Sequence, residues 1–264
     1  MKTYSIFETH AHYDDEAFEP DRDGLLSSLQ GNGIGTVVNV CASVGELGRT
    51  IALTEKYPFV YGAVGVHPDD ADKMTEQTLD EIRELSRREK ILAIGEIGLD
   101  YYWHKEEAAH EIQKKMFRAQ MDIAREEKLP FMIHSRDAAK DTLDIVKEYM
   151  DEGMYGGIIH CFSYGKEMAE QYLNMGLYLG IGGVVTFKNA KKLKEVVEYA
   201  PLEQLVLETD SPYLSPEPNR GKRNSSLNLP YVARAIGELK GISKEEVIRI
   251  TGQNAEKLLF HRIK

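Results

Sequence analysis

Seven side chains in this sequence have the types and spacing to hold a cation. The chain begins MKTYSIFETHAHYDD, placing His10 and His12 one residue apart at the end of a short apolar run. Residues i and i+2 of a strand point to the same side, so both imidazoles can face one ion. His67 in FVYGAVGVH, His134 in PFMIHS, His160 in GGIIHCF and Asp210 in QLVLETD also fall at the ends of such runs. Glu96 lies inside ILAIGEIG, where an unpaired buried carboxylate would cost roughly several kcal/mol. One metal, or two bridged by it, would supply a partner. Imidazole nitrogen suits zinc, manganese, nickel or iron, and carboxylate oxygen suits harder ions. Such a centre acidifies a water and polarises the bond that the water attacks, which is the chemistry of hydrolysis.

The elements that must gather these residues are legible as an alternation. Eight short runs, SIFETH, TVVNVCAS, FVYGAVGVH, ILAIGEIG, PFMIHS, GGIIHCF, LYLGIGG and QLVLETD, are each followed by a longer segment. Several are almost continuously apolar, as strands buried on both faces are. The intervening segments have helical period. TEQTLDEIRELSRREK carries Leu79, Ile82 and Leu85 on one face, with Thr78 and Glu81 at capping-box spacing. In EEAAHEIQKKMFRAQMDIAREEK the apolar stripe is Ile112, Met116 and Ile123. Gly153 and Gly176 suit helix C-caps, and Ser243 with Glu246 has capping-box spacing before a C-terminal helix. Eight strand–helix units with right-handed crossovers predict a (β/α)8 TIM barrel, one domain over residues 1–264. An open doubly wound sheet ranks second. It would carry a glycine-rich phosphate loop after an early strand, and GNGIG instead reads as a turn before the second strand.

In a barrel, chemistry sits at the C-terminal ends of the strands. Five of the eight histidines fall there, while His104, His110 and His261 do not. Each residue also has a structural reading. His67 precedes Pro68 and suits a turn. Glu96 could pair with an arginine. Asp210, before Ser211 and Pro212, could cap or turn the chain. Glu208 could support the site or form a salt bridge. Cys41 and Cys161 read as small buried hydrophobes, with Cys161 alternating with His160 and pointing away from the site. All these readings together would require five histidines and two carboxylates to share one rim by accident, so the metal centre is preferred.

Composition limits the partners. Of 264 residues, 42% are hydrophobic and 29% charged, an ordinary globular mix. The 33 basic and 43 acidic residues give a formal charge of −10, the wrong sign for coating a duplex. No apolar run has transmembrane length and MKTYSIFETHAH has no signal-peptide character, so no membrane association is expected. Two cysteines without paired-ligand spacing suit a reduced, cytoplasmic setting. No obligate protein partner is evident.

Taken together, THAH, GVHP, GEIGLDYYW, PFMIHSRDA, GIIHCFS and LETDSPYLSPEPNRGKRN resemble the TatD family of metal-dependent hydrolases, within the amidohydrolase-like barrel group, over almost the whole chain. The resemblance implies a barrel with two divalent ions. His10, His12 and Asp210 would hold one, His134 and His160 the other, and Glu96 would bridge them. Many barrel relatives outside the family use a modified lysine as that bridge. After GKRN, family members often carry Glu and Pro where this chain reads SSLNLPYV, so the resemblance stops short of the last loop's substrate contacts.

The resemblance further implies magnesium-dependent phosphodiester hydrolysis of DNA, with manganese or zinc as alternative ions. Asp210 is the candidate general base, alongside Glu96 at the centre. Arg136, Arg220, Lys222 and Arg223 are candidate phosphate contacts or plain solvated surface. His67 could also reach a substrate phosphate. Tyr101, Tyr102 and Trp103 could stack a base or pack their loop. The acidic charge favours a single strand or a chain end over a duplex. Two alternatives remain open: a barrel hydrolase of a small amide, lactone or ester, including an aminoacyl-tRNA ester, and a metal-bound scaffold without catalysis.

Overall fold

The computed structural model describes residues 5–262; the ends of the expected 1–264 domain, residues 1–4 and 263–264, lie outside the described residues. The strands are β1 (Ile6–Ala11), β2 (Ile34–Val40), β3 (Val60–Val64), β4 (Ile91–Asp100), β5 (Phe131–Arg136), β6 (Gly157–Ile159), β7 (Tyr178–Ile181) and β8 (Leu205–Leu207). The helices are α1 (Arg22–Leu29), α2 (Leu47–Lys56), α3 (Glu76–Ser86), α4 (Glu107–Glu126), α5 (Ala139–Asp151), α6 (Lys166–Asn174), α7 (Lys191–Tyr199), α8 (Leu229–Lys240) and α9 (Lys244–Leu259). The strands lie in sequential order and pair in parallel. The ring closes where Asp210 N donates to His10 O (3.0 Å) and His12 N to Ser211 O (2.8 Å). Sequential order with closure makes this a (β/α)8 barrel and excludes the open doubly wound sheet. Among the described residues, no helix is long and apolar enough to cross a membrane.

One apolar cluster takes at least one residue from every strand, among them Val38, Leu92, Met132, Ile158 and Val206. It fills the lumen, while alternate strand residues such as Val37, Phe131, Ile133, Ile159, Leu205 and Leu207 belong to the other face. Leu258 and Leu259 of α9 join this cluster and close its floor. A larger apolar layer lies between the sheet and the surrounding helices. The strands read as nearly continuous apolar runs because both faces are buried in these two layers.

Several local expectations are corrected. The N-cap of α3 is Thr75, whose hydroxyl accepts from Thr78 N while Thr78 Oγ1 accepts from Thr75 N, each at 3.2 Å. Thr78 is therefore the third helical residue, and a threonine does the work expected of a glutamate. Ser243 does cap α9, accepting from Glu246 N at 3.1 Å. Gly153 and Gly176 follow their helices at φ +89° and +79°, the left-handed turn that glycine makes without strain. Of the expected stripe on α4, Ile123 is buried and Met116 packs half-buried against the core, but the buried face extends further round the helix and leaves Ile112 out. Ile112 is 40% exposed, whereas Gln113, Phe117, Gln120, Met121 and Ala124 are buried. These positions follow the i, i+4, i+7, i+8, i+11 pattern of a helix face, but two are glutamines, so a reading of apolar residues alone misses the pattern.

β6 and β8 are shorter than the runs that announced them, ending at Ile159 and Leu207. Left-handed backbone at Cys161 (φ +44°) and Asp210 (φ +57°) ends the alternation of faces. Cys161 consequently lines the cavity at the barrel mouth rather than pointing away from it.

Candidate metal centre

The lumen rows that are apolar below become polar at the top. By the two-residue period, Met132 is followed on its face by His134, Ile158 by His160 and Val206 by Glu208. These side chains open into a cavity of about 810 Å3 whose lining includes His12, His67, Glu96, His134, His160 and Asp210. His10 lies just beneath, its ring stacked on His160 with centroids 3.4 Å apart.

Glu96 stands at the middle and divides the cluster. Its Oε2 lies 3.4 Å from His10 Nε2 and 3.6 Å from His12 Nε2. Its Oε1 lies 2.9 Å from His134 Nδ1, 3.7 Å from His160 Nε2 and 3.9 Å from His67 Nε2. Asp210 Oδ1 spans the two groups, 3.3 Å from His12 Nε2 and 3.6 Å from His160 Nε2. The structure thus brings together all six residues expected to hold ions, with His67 beside them.

The outward-facing nitrogens fix which inner atoms can bind a cation. His12 Nδ1 donates to Val40 O (2.7 Å), His134 Nε2 to Asp100 Oδ2 (3.1 Å) and His160 Nδ1 to Glu208 Oε2 (3.1 Å). Each neutral imidazole then presents its other nitrogen as a lone pair toward Glu96 or Asp210, whose oxygens also only accept. Lone pairs facing one another at these distances repel, and a positive charge must lie among them. Without an ion that charge comes as protons. Burial disfavours it, but Asp210 and Glu96 push His12 up to about 10. Glu208 and Glu96 likewise push His160 up to about 9, and Asp100 and Glu96 push His134 to about 9, both against burial. Despite their burial, Glu96 and Asp210 are held below the usual carboxylate range by the surrounding imidazoles. A divalent ion would take the place of these protons. The donor set of nitrogens and carboxylate oxygens, with outward hydrogen bonds already orienting the rings, fits such ions.

His10 has a different environment. Burial and the charge on His160 lower it to about 4, and its Nδ1 has no hydrogen-bond partner among the described residues. His67 is likewise lowered to about 4 by burial and by His134. Its Nδ1 accepts from Asp69 N (3.1 Å), which leaves the hydrogen on Nε2, facing the cavity.

Three carboxylates around this cluster escaped the sequence reading or had no fixed role in it. Asp100 shares the period-two face of β4 with Glu96, the one signal that could have found it. Its Oδ1 also accepts from Tyr102 N and Trp103 N. Glu208 supports His160 and accepts from Cys161 N. Gly180 makes room for it, since a Cβ there would stand 2.1 Å from Glu208 Oε2. Glu8, fully buried, accepts from His10 N, Thr209 N and the hydroxyls of Thr209 and Ser226. Burial pushes its carboxyl up to about 8.

The basic residues separate. Arg136 lines the cavity, its guanidinium 3.9 Å from the Tyr102 ring centroid and 5.6 Å from that of Trp103. Arg223 does not line it. Its guanidinium makes a two-pronged bond to Asp21, donates to Ala17 O and lies over Phe18. Arg220 lies over Phe187. Among the described residues, Arg136 is the only lysine or arginine in the cavity lining. Tyr101 packs, stacked on His110 and bonded to Asp141, whereas Trp103 lines the cavity and is 64% exposed.

Comparison with known proteins agrees with this geometry. The sequence model of a family described as TatD related DNase matches residues 7–260. An uncharacterized metal-dependent hydrolase of Bacillus subtilis, YabD, is 45% identical, the match covering 96% of this chain and 98% of YabD. The 3'-5' ssDNA/RNA exonuclease TatD of Salmonella typhimurium is 29% identical, with 96% of this chain and 98% of that protein covered. Among solved structures, the TatD homologue YjjV of Escherichia coli superposes with a TM-score of 0.88 at 27% identity, covering 96% of this chain and 97% of YjjV.

Proposed function

This chain belongs to the TatD family of metal-dependent hydrolases, and from that premise we propose that it removes nucleotides from the ends of single-stranded DNA with two divalent ions. The observation that carries the reading is the division of Glu96, whose two oxygens face different groups of imidazoles. His10, His12 and Asp210 would hold one ion, His134 and His160 the other, with Glu96 between. Magnesium is the expected ion, and manganese and zinc suit the same donors. When bound, the ions supply Lewis acidity to a phosphoryl oxygen and acidify a water.

The chain's own groups complete the reaction. Asp210 Oδ1, at the junction of the two imidazole groups, orients the attacking water and takes its proton as the water oxygen bonds to phosphorus; the phosphodiester P–O bond to the other nucleotide breaks, and the leaving oxygen takes a proton from solvent. His67 donates its Nε2 hydrogen to a phosphate oxygen. Arg136, beside the rings of Tyr102 and Trp103, binds a neighbouring phosphate. The Trp103 face offers a stacking surface to an unpaired base, which every base can use. The test is digestion, with magnesium, of a 3'-labelled single strand beside a closed circle of the same sequence. Loss of label with the circle intact is expected, and efficient cutting of the circle would overturn end-directed action.

A second reading draws on the cavity rim. Opposite Arg136, the loops after β1, β2 and β3 contribute Asp15, Glu46, Asp69 and Asp70. This acidic half favours a substrate with little negative charge, such as a small neutral ester, lactone or amide. Assaying those compounds beside DNA on the same metal-analysed sample separates the two.

A further inference from the structure

We propose that Gln113 and Gln120 of α4 are positioning residues, each serving as a surrogate strand that fixes one segment of the barrel mouth. Gln113 holds the end of β4 behind His134, and Gln120 holds the loop that presents His67. The inference rests on the roles given above to those two histidines.

The need arises from unequal strands. β4 runs to Asp100, but the pairing of β3 with β4 ends at Val64 and Ile94. Beyond that point β4 still pairs with β5 on its other side, Asp100 opposite Arg136. In a parallel sheet the N–H and C=O of one residue point to the same side, so both groups of Asp100 face the missing β3. Buried groups of this kind need partners. Gln113 supplies both: its Oε1 accepts from Asp100 N (3.0 Å) and its Nε2 donates to Asp100 O (3.1 Å). Gln120 treats Val66 in the same way, accepting from its N (2.8 Å) and donating to its O (3.1 Å). A primary amide carries one acceptor and two donors in one plane, so it can reproduce the paired edge of a strand residue. Both glutamines are almost fully buried.

The seven-residue spacing puts both amides on one face of α4, about 10 Å apart along its axis. One rigid rod therefore sets two mouth segments against each other. From Asp100, Oδ2 reaches His134 and Oδ1 gathers the backbone of Tyr102 and Trp103. From Val66 the chain passes directly to His67, whose ring meets His134 edge-on at 4.2 Å. Gln113 thereby acts directly on an ion ligand and on the rim loop, and Gln120 directly on the substrate-facing histidine and only through it on His134.

Trp103 is the only tryptophan of the chain, so its fluorescence reports the Asp100 segment without any metal or substrate. The experiment compares Gln113→Met, Gln113→Glu and Gln120→Met with the wild type. Three quantities are read: acrylamide quenching and anisotropy of Trp103 in a chelator, calorimetric affinity for manganese, and KM on a single strand. Gln113→Met should expose and loosen Trp103 and weaken one manganese about tenfold. Gln113→Glu, which keeps the acceptor for Asp100 N–H, should fall between it and the wild type. Gln120→Met should raise KM while moving Trp103 and manganese affinity less than Gln113→Met does. An unmoved Trp103 with unmoved affinity in Gln113→Met overturns the inference, as does an equal shift of every readout by both methionine variants. Should Gln113→Met fail to fold, Gln113→Glu decides by the same quenching criterion. A wild type that binds no divalent ion would defeat the proposed function, and the Trp103 contrast between the Gln113 and Gln120 variants would still decide this inference.

Discussion

The floor and the mouth of the barrel are built on the same strand rows, two residues apart, and obey different rules. Met132, Ile158 and Val206 lie below, and His134, His160 and Glu208 above. On the floor, each side chain contributes through the area and volume it fills, and neighbours adapt to one another. At the mouth, each group is held by a named partner: Val40 O for His12, Asp100 for His134, Glu208 for His160. Floor positions are selected by apolar volume, and mouth positions by charge and hydrogen-bonding geometry. A single strand can therefore carry stability at one end and chemistry at the other.

Three experiments break or sharpen that contrast. Asp210→Asn keeps the volume and removes the proposed base, so kcat should fall about 10²- to 10⁴-fold. Floor packing is untouched, so any shift of the melting curve in a chelator should depend on pH, because Asp210 is a partner of protonated His12; steady-state kinetics beside melting curves check both. Near-wild-type turnover would remove Asp210 from its role. On the floor, Ile158→Ala leaves a cavity and should lower stability by about 2–5 kcal/mol. Denaturant unfolding measures this, and kcat per folded molecule should stay near the wild-type value. A mutant that lost turnover without losing stability would erase the distinction between the two regions.

The third and smallest effect is a reversal of pH dependence. In the chelated protein His12 is pushed to about 10, and His134 and His160 to about 9, from an ordinary value near 6.5. Raised histidines contribute stability that is complete below pH 6.5 and is lost as pH rises toward 9. Glu8, raised to about 8, acts in the same direction above its ordinary value near 4.5. The melting temperature of the chelated protein should therefore fall between pH 6.5 and 9. Divalent ions compete with protons for the imidazoles, so their stabilising increment should grow over that range. Parallel melting curves with chelator and with manganese would show it. The same slope in both would mean that the ions and protons do not share these nitrogens.

How far the sequence could be read follows from which contacts are local. The eight strands were legible because burial on both faces leaves an apolar run. The candidate ion-binding set was legible because a strand end has one address in a barrel, and His10, His12, His134, His160 and Asp210 all had it. Asp100 was not, since its importance comes from His134 on the neighbouring strand. Arg223 looked as available for phosphate as Arg136, and only the packing of the loops gives one an aspartate and the other two aromatic faces. Gln113 and Gln120 gave no signal in the sequence, because amides are ordinarily exposed. They are buried because an absent stretch of β3 leaves backbone groups to satisfy.

The sequence by itself determined the alternation of strand and helix, the apolar lumen and the residue types at the mouth, since these follow from periodicity and from the cost of burying unpaired polar groups. Only the tertiary structure decided which oxygen of Glu96 meets which imidazole, which cations are already paired, and which side of α4 turns inward. Those outcomes depend on distances of a few ångströms between segments up to some two hundred residues apart, and no local pattern encodes a distance of that kind.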